Sequence, residues 1–204
     1  MNYIADACHV KNGQVHLNGT LLWDSKISDV SKFLKSGFRN FELNYPKFHK
    51  MDRLSKLAFL SANVILGQTV PSVEKKPDIA LLFSNRAASL DTDRKHQQSI
   101  DDKAHYFPSP SVFVYTLPNI CLGEISIRFK LHSENSFFIF DHFNAPHLHL
   151  QTEQLLISNK ASRVLCGWVD VDGHNYEAFL YLVTKNQTPM EHSVKTIESL
   201  YRNL

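Results

Sequence analysis

The sequence is poor in glycine, with 7 residues among 204, against a typical share of about 7%. It contains neither the G-x-G-x-x-G pattern of dinucleotide-binding turns nor the G-x-x-x-x-G-K-[ST] pattern of phosphate-binding loops. Backbone amides that cradle a phosphate need glycine-rich turns of these kinds. The sequence therefore gives no support for a nucleotide or any other cofactor, and we expect none.

Cysteine is also scarce. Cys8, Cys121 and Cys166 are odd in number and widely spaced, and no two of them form a C-x-x-C pair. Neither a disulfide framework nor a zinc ribbon can be built from this pattern. We expect reduced, buried thiols that pack as small apolar side chains.

The sequence has no excess of charge and no long apolar run. Its 22 basic and 20 acidic residues give a net charge of +2, too little to attract nucleic acid or an anionic membrane. No run reaches the roughly 18 apolar residues that cross a bilayer, and the first residues lack the features of a secretory signal. We expect a cytoplasmic protein without nucleic-acid or membrane partners.

What is present suits a packed core. Apolar residues make up 43% of the sequence and aromatic residues 11%, enough for one large core at this length. No low-complexity stretch is long enough to act as a linker, so we expect a single domain over residues 1–204.

Apolar periodicity predicts alternating strands and helices. Strands are predicted at 3–10, 79–83, 137–140, 164–169 and 178–183. Helices are predicted at 51–66, at 118–129, from Asn144 as a cap to about 159, and after a capping-box pattern at 188–191. Gly67 is placed to follow the first helix. Residues 89–106 are polar and charged, which indicates an exposed connection.

Four stretches resemble a known family. Residues 50–58 (KMDRLSKLA) resemble the stretch that opens an early helix in the enzymes of this family. Residues 117–128 (LPNICLGEISIR) resemble a second family segment, which contains Pro-Asn, a Gly and Ile-Ser-Ile. Residues 135–140 correspond to the strand that leads to the nucleophile, and residues 161–170 to the next strand. In this order the stretches are similar to the amino-terminal half of β-ketoacyl-acyl-carrier-protein synthases, enzymes with the thiolase fold.

The resemblance extends to about Val183 and implies an α/β fold. We expect a mainly parallel five-stranded sheet with helices on both faces, equal to one half of a thiolase-like subunit. At residues 112–116, β-branched and aromatic content favours a strand. The resemblance instead implies irregular or helical structure there, and we follow the resemblance.

The departures from the family concern its chemistry. Condensation requires a cysteine nucleophile at the start of a helix, together with imidazole donors for the developing oxyanion. Counting from Asn135 places His142 at the nucleophile position, while Cys121 and Cys166 fall elsewhere. The family's catalytic histidines and lysine belong to the half that the resemblance does not cover. We therefore expect no catalytic residue and no acyl transfer, which would make the chain a pseudoenzyme.

Three interpretations of the region around His142 stay open. Asp141, His142, His147 and His149 offer ligands for zinc or iron, but His147 and His149 point about 200° apart on a helix. A nucleophile or general base at His142 lacks a partner base. We favour the third interpretation, in which His142 is a plug or a surface residue, and we expect no metal.

Residues 136–140 (SFFIF) carry no charge, and an uncovered strand edge of this composition promotes aggregation. In the resembling family the equivalent strand pairs with its copy across a two-fold axis. The resemblance therefore implies a dimer interface at Phe137, Phe138, Ile139 and Phe140, in a homodimer or in a heterodimer with a full-length ketosynthase.

Three functions follow from these observations. The first is a chain-length-factor-like, non-catalytic subunit in fatty acid, polyketide or aryl-polyene-type lipid biosynthesis, acting through dimer contact with an active synthase. The second is a homodimeric scaffold that binds an acyl chain or an acyl carrier protein. The third is an enzyme with unrelated chemistry around His142.

Overall fold

The computed structural model describes residues 1–69, 76–104 and 106–203. The strands are β1 (Tyr3–Lys11), β2 (Gln14–Leu17), β3 (Thr20–Asp24), β4 (Ile79–Asn85), β5 (Asn135–Ile139), β6 (Arg163–Asp172), β7 (Asn175–Thr184) and β8 (Met190–Glu191). The helices are α1 (Val30–Asn40), α2 (Arg53–Thr69), α3 (Leu90–Gln98), α4 (Pro110–Val114), α5 (Ile120–Phe129), α6 (Ala145–Ile157) and α7 (Val194–Arg202). A short 3-10 helix covers Pro46–Lys50.

The described strands form one sheet in the order β3-β2-β1-β7-β6-β4-β5, with β8 also paired to β1. Strand β4 is parallel to β5 and β6, while β7 is antiparallel to β1 and β6. Strands β1, β6, β4 and β5 therefore run in one direction and β7 runs in the other. The five predicted strands are therefore present and form a mainly parallel core. The whole sheet has eight strands among the described residues rather than the expected five, because the β2-β3 ribbon and β8 extend it beside β1.

Helices cover both faces of the sheet, as β4 shows most clearly. Its side chains alternate between two cores: Ile79, Leu81 and Phe83 face one core, and Ala80 and Leu82 face the other. Helices α2 and α5 belong to the first core, and α6 and α7 to the second. Every residue of β4 is buried, as expected for a strand between two helical layers. The α/β class is confirmed.

Helix α2 lies in the middle of the larger core, in contact with α1, α5 and strands β1, β6 and β7. A helix buried on most sides is apolar around its circumference, which explains its long apolar sequence. Ser61 and Asn63 donate to carbonyl oxygens one turn earlier, at 2.9 and 2.7 Å, so their burial leaves no unpaired donor. The helix continues through Gly67 to Thr69, beyond the predicted end.

Strands β6 and β7 approach closely at Gly167, which pairs with Leu180. Gly167 has a φ of +150°, and a Cβ atom there would lie 1.9 Å from the carbonyl oxygen of Phe179. No side chain fits at that separation, so the pairing of the two strands requires glycine at this position.

Residues 89–106, predicted as an exposed connection, contain helix α3. Thr92 is its buried residue, so no apolar stripe marks the helix in the sequence. Thr92 Oγ1 donates to Asp52 at 2.9 Å, and Arg53 pairs with Asp91 through two hydrogen bonds. These contacts with the start of α2 hold α3 in place. Their partners lie 38 and 40 residues apart, beyond the reach of local patterns.

The predicted helix start at residues 188–191 is wrong. Strand β8 occupies that position and pairs with β1. Helix α7 begins five residues later than predicted, at Val194, where the hydroxyl of Ser193 accepts the N–H of Thr196 at 3.2 Å. Backbone pairing with β1 prevails over the local capping pattern.

Three other predictions are confirmed. Residues 110–114 form helix α4 rather than a strand, and α5 follows Pro118 as expected. Asn144 caps α6, since its Oδ1 accepts the N–H of His147 at 3.0 Å. None of the helices in the described ranges is both long and apolar enough to cross a membrane.

Candidate functional site

His142 lies in the turn between β5 and α6, as the resemblance implied. Strand β5 ends at Ile139, the N–H of Phe140 donates to the carbonyl of Asn85 at 2.9 Å, and α6 begins at Ala145. The turn is therefore at the carboxyl end of a parallel strand. Open α/β sheets place ligand sites at this end.

A cavity of about 380 Å³ opens at this edge of the sheet. Its lining comes from the residues that follow β1, β4 and β5, from the β6-β7 hairpin and from α7. The charged or titratable groups in its lining include Lys11, Arg86, Asp141, His142, Asp170 and Glu177. We take this cavity as the candidate site.

Glu177, at the start of β7, is the centre of a hydrogen-bonded group that we name the Glu177 network, with His9, Lys11 and Tyr201. Its Oε1 lies 3.0 Å from His9 Nε2 and 2.8 Å from Lys11 Nζ, and its Oε2 accepts the Tyr201 hydroxyl at 2.9 Å. Burial raises the pKa of Glu177, but these hydrogen bonds outweigh burial and bring the pKa to about 2. Glu177 is thus a fixed carboxylate that ties β1, β7 and α7 together, and it is no general base near neutral pH.

Asp170, in β6, organises the turn after β4. Its Oδ1 accepts the backbone N–H groups of Arg86 and Ala87 at 3.1 and 3.0 Å. The Arg86 guanidinium lies 4.0 Å from Asp170 and 3.8 Å from Asp172. A hydrogen bond from Arg94 lowers the pKa of Asp172. The acidic groups on this side of the cavity are therefore matched by cations and amides of the same chain.

Asp141 and His142 have no such partners. Both are exposed, and neither side chain forms a hydrogen bond or ion pair with the described residues. The helix start beside them offers few donors, because Pro146 lacks an N–H and Asn144 accepts the N–H of His147. A nucleophile at a helix start depends on free N–H groups for its activation. This geometry does not favour nucleophilic catalysis at His142.

The three cysteines are buried in the core, as expected. Burial raises the pKa of Cys166 to about 12 and also raises the pKa values of Cys8 and Cys121. Since the thiolate is the reactive form, burial makes these three thiols unreactive at neutral pH.

The residues considered as metal ligands were Asp141, His142, His147 and His149. His147 packs edge-on against the rings of Phe138 and Phe140, with centroids 4.7 and 5.0 Å apart. His149 instead lies beside Glu153 and His192, and the three form the one group of potential ligands found among the described residues. The four residues of the sequence pattern therefore do not form a common site.

Strand β5 is the last strand of the sheet and pairs with β4 alone among the described strands. The N–H of Phe140 faces β4. Because backbone groups alternate along a strand, the amides of Phe137 and Ile139 face the open side. Ile139 is 50% exposed, and Phe137, Phe138 and Phe140 are partly buried. The edge therefore presents unpaired backbone groups next to apolar side chains.

A larger cavity, of about 570 Å³, lies between the start of α2 and helices α3 and α4. Arg53 and Asp91 in its lining pair with each other, and Asp52 accepts from Ser55 and Thr92. Burial raises the pKa of Asp52. The acidic groups there are engaged in holding α3 against α2, so size alone does not make this cavity the better candidate.

Sequence reasoning missed Glu177 and Asp170. Each is a single acidic residue next to an apolar run, Glu177 before residues 178–183 and Asp170 after residues 164–169. Because β6 and β7 are antiparallel, these two ends meet at the same edge of the sheet, and the two residues pair directly. A single acidic residue at the end of each predicted strand was the sequence signal that could have indicated this site.

No protein-family model and no curated protein matches this sequence. Solved structures do match. The ishigamide ketosynthase/chain length factor has a TM-score of 0.66 at 13% identity, covering 93% of this chain and 63% of that chain. A β-ketoacyl synthase from Burkholderia phymatum STM815 has a TM-score of 0.61 at 11% identity, covering 91% and 59%. This chain thus spans less than two thirds of either protein.

A third structure is close to this chain in length. It is the ketosynthase ApeO in complex with its chain length factor ApeC from Xenorhabdus doucetiae, with a TM-score of 0.62 at 14% identity. The match covers 98% of this chain and 90% of that chain. At such identities the likeness concerns the fold alone. The chain has the thiolase-like fold of ketosynthases and chain length factors.

Proposed function

We propose that the chain is a non-catalytic, chain-length-factor-like subunit that acts through contact with an active ketosynthase. The observation that carries this proposal is the exposed imidazole of His142 in the turn between β5 and α6, without a hydrogen-bond partner among the described residues. The sequence resemblance assigns the family's nucleophile to this turn. The near end-to-end match with a chain of the ApeO and ApeC complex supports it. The reaction would then belong to the partner.

The open edge of β5 supports a contact surface at that place. Helix α5 packs against β5, and the segment before α5 exposes a series of large apolar side chains. These are Tyr106, Phe107, Phe113, Val114 and Leu117. Large apolar side chains exposed along one segment are a feature of protein contact surfaces. We expect an obligate-type interface of more than about 2,000 Å² in total.

In this role the body of the chain would line the tunnel in which the partner extends an acyl chain, and so limit its length. The product class would be a fatty acid, a polyketide or an aryl-polyene-type lipid. The acyl carrier protein would deliver substrate to the active partner, and the assembly would act in the cytoplasm.

Co-purification with a full-length ketosynthase encoded beside this chain tests the proposal. We expect the wild-type chain to copurify in equal amounts with the synthase. Ile139→Lys should abolish copurification, because it places an unpaired charge in the contact. Ile157→Lys makes the same change at a 75% exposed position on α6 and should copurify like the wild type. Equal copurification of both variants would count against β5 as the contact.

A homodimeric scaffold that binds an acyl chain or a carrier protein is the second candidate. It is favoured by the same open edge, which a second copy of β5 would satisfy equally well. A stable dimer of the purified chain that does not exchange subunits with any ketosynthase would favour this candidate over the first.

A further inference from the structure

A cluster of three side chains joins helix α6 to the segment before α7. His149 and Glu153 lie four residues apart on α6 and therefore share one face of the helix. His192 lies between β8 and α7. One potential ligand atom of each residue lies within 4.8 Å of those of the other two. We name these three residues the α6 cluster.

The side chains of the α6 cluster already face one another. His192 Nδ1 lies 2.8 Å from Glu153 Oε1. The rings of His149 and His192 are stacked, with centroids 4.7 Å apart and planes 29° apart. The side chain of His192 is 0% exposed and that of Glu153 is 25% exposed. The cluster is thus closed on one side and reachable from solvent on the other.

Neighbouring groups hold these side chains in place. Asn2 Nδ2 lies 3.0 and 2.9 Å from the two carboxylate oxygens of Glu153. His149 Nε2 lies 3.2 Å from the carbonyl oxygen of His192, which leaves His149 Nδ1 available. Metal-binding histidines often donate their second ring N–H to a backbone carbonyl in this manner.

A further observation concerns the other ring nitrogen of His192. Its Nε2 is buried and has no hydrogen-bond partner. The nitrogen that faces Glu153 is Nδ1. Nδ1 is therefore the candidate ligand atom, and Nε2 carries the ring proton when a metal is bound.

We propose that His149, Glu153 and His192 bind a divalent transition-metal ion, and that zinc is the best match. Two imidazole nitrogens and one carboxylate oxygen form a set that zinc prefers, whereas calcium and magnesium take oxygen ligands. Ligand atoms of tetrahedral zinc lie about 3.4 Å apart for bonds of about 2.1 Å. Small side-chain rotations bring the cluster to that spacing. When the ion binds Nδ1 of the neutral His192 ring, the single ring proton moves by way of solvent from Nδ1 to Nε2, so no proton is lost overall, and water completes the coordination.

The location gives the ion a structural role. It cross-links α6 to the segment between β8 and α7. Glu153 also accepts hydrogen bonds from Asn2, the residue that precedes β1. An ion that binds the folded chain and not the unfolded chain raises stability by mass action. Zinc should therefore raise the unfolding temperature of the full chain.

The test uses the full chain without an affinity tag, stripped of metal by a chelator and titrated with Zn²⁺ in a calorimeter. We expect one saturable site per chain and a higher unfolding temperature with Zn²⁺, but no effect of Mg²⁺. His149→Ala and Glu153→Gln should each weaken Zn²⁺ binding about tenfold or more. Both positions are partly exposed, so these variants should fold.

Matched controls are His132→Ala and Glu191→Gln, which make the same changes at exposed positions outside the cluster. Both should bind Zn²⁺ like the wild type. Substitution with Co²⁺ should give the visible absorption of a four-coordinate site in the wild type and in both controls. Absence of saturable Zn²⁺ binding, or equal binding by His149→Ala, Glu153→Gln and the controls, would overturn the proposal.

Discussion

The two sides of the candidate cavity differ in how far this chain satisfies its own polar groups. In the Glu177 network, one carboxylate is matched by three donors from β1 and α7. At the end of β5, Asp141 and His142 have no partner among the described residues, and one edge of the strand is unpaired. The polar groups of the first region are satisfied within the chain, while the second region leaves a strand edge and two side chains without partners among the described residues.

This difference predicts that substitutions in the two regions have different effects, one on folding stability and the other on assembly. Changes near the Glu177 network should lower the stability of the folded chain, because its partners are all internal. Changes at the β5 edge and its turn should alter assembly and leave the stability of the isolated chain nearly unchanged. The predictions that follow test this separation.

Gly167→Ala should have the largest effect. The new Cβ atom would overlap the carbonyl of Phe179 in β7, so the β6-β7 pairing beside the Glu177 network must shift. We expect a loss of more than about 3 kcal/mol or failure to fold. Gly123→Ala is the control, since its Cβ meets nothing within 4 Å on helix α5, and it should stabilise by up to about 1 kcal/mol. Denaturant unfolding distinguishes them, and wild-type stability of Gly167→Ala would contradict the packing described.

Glu177→Gln should lower stability by about 3 kcal/mol at pH 7. The pKa of Glu177 is lowered from 4.5 to about 2, so the folded state favours the ionised form. Its contribution is fully present above about pH 4.5 and is lost as the pH falls towards 2. The gap in unfolding free energy between wild type and variant should therefore shrink over that range. A gap that widens on acidification would refute the assignment.

Ile139→Lys should abolish assembly while changing the stability of the isolated chain by less than about 1 kcal/mol, because Ile139 is half exposed. Phe138→Asp should act in the same direction and cost more stability. Light scattering at micromolar concentration measures the effect. Leu21→Lys is the control at the opposite edge of the sheet, where Leu21 is 48% exposed. The β2-β3 pairing there has an irregular register, which discourages pairing with another chain, so this variant should assemble like the wild type. A monomeric wild type, with or without a synthase, would remove the basis for an interface at β5.

His142→Ala should change stability by less than about 0.5 kcal/mol, since its side chain makes no hydrogen bond or ion pair with the described residues. His142→Cys should gain no acyl transfer, because the helix start offers few free donors and the side chain at this position has no hydrogen-bonded partner base among the described residues. Denaturant unfolding checks the first statement, and intact-mass analysis after incubation with acyl-CoA checks the second. A stable thioester adduct on His142→Cys, or on Cys121 or Cys166 of the wild type, would contradict the non-catalytic assignment.

The sequence predicted those elements of the fold whose pattern is local. Strands β4, β6 and β7 are apolar runs buried on both faces, and α6 carries its own cap at Asn144. The elements it missed depend on distant partners. Helix α3 has no apolar stripe and is held by the Arg53 and Asp91 pair, and β8 exists because β1 pairs with it.

The candidate site divides in the same manner. The position of His142 could be predicted, because the strand, turn and helix are consecutive in the sequence. The Glu177 network could not, since His9 and Glu177 are 168 residues apart and meet only through the pairing of β1 with β7. The α6 cluster is a further case, because Glu153 and His192 are 39 residues apart and no local spacing connects them.

The most direct test of the β5 contact is residue-resolved amide hydrogen exchange by NMR on the assembled wild-type chain. The amides of Phe138 and Phe140 face β4 and should be protected whether or not a partner is bound. The amides of Phe137 and Ile139 face the open edge. The account predicts that these two are protected in the assembly and exchange rapidly in the Ile139→Lys monomer. Rapid exchange of Phe137 and Ile139 in the assembled wild type would show that the assembly forms elsewhere and would contradict the account.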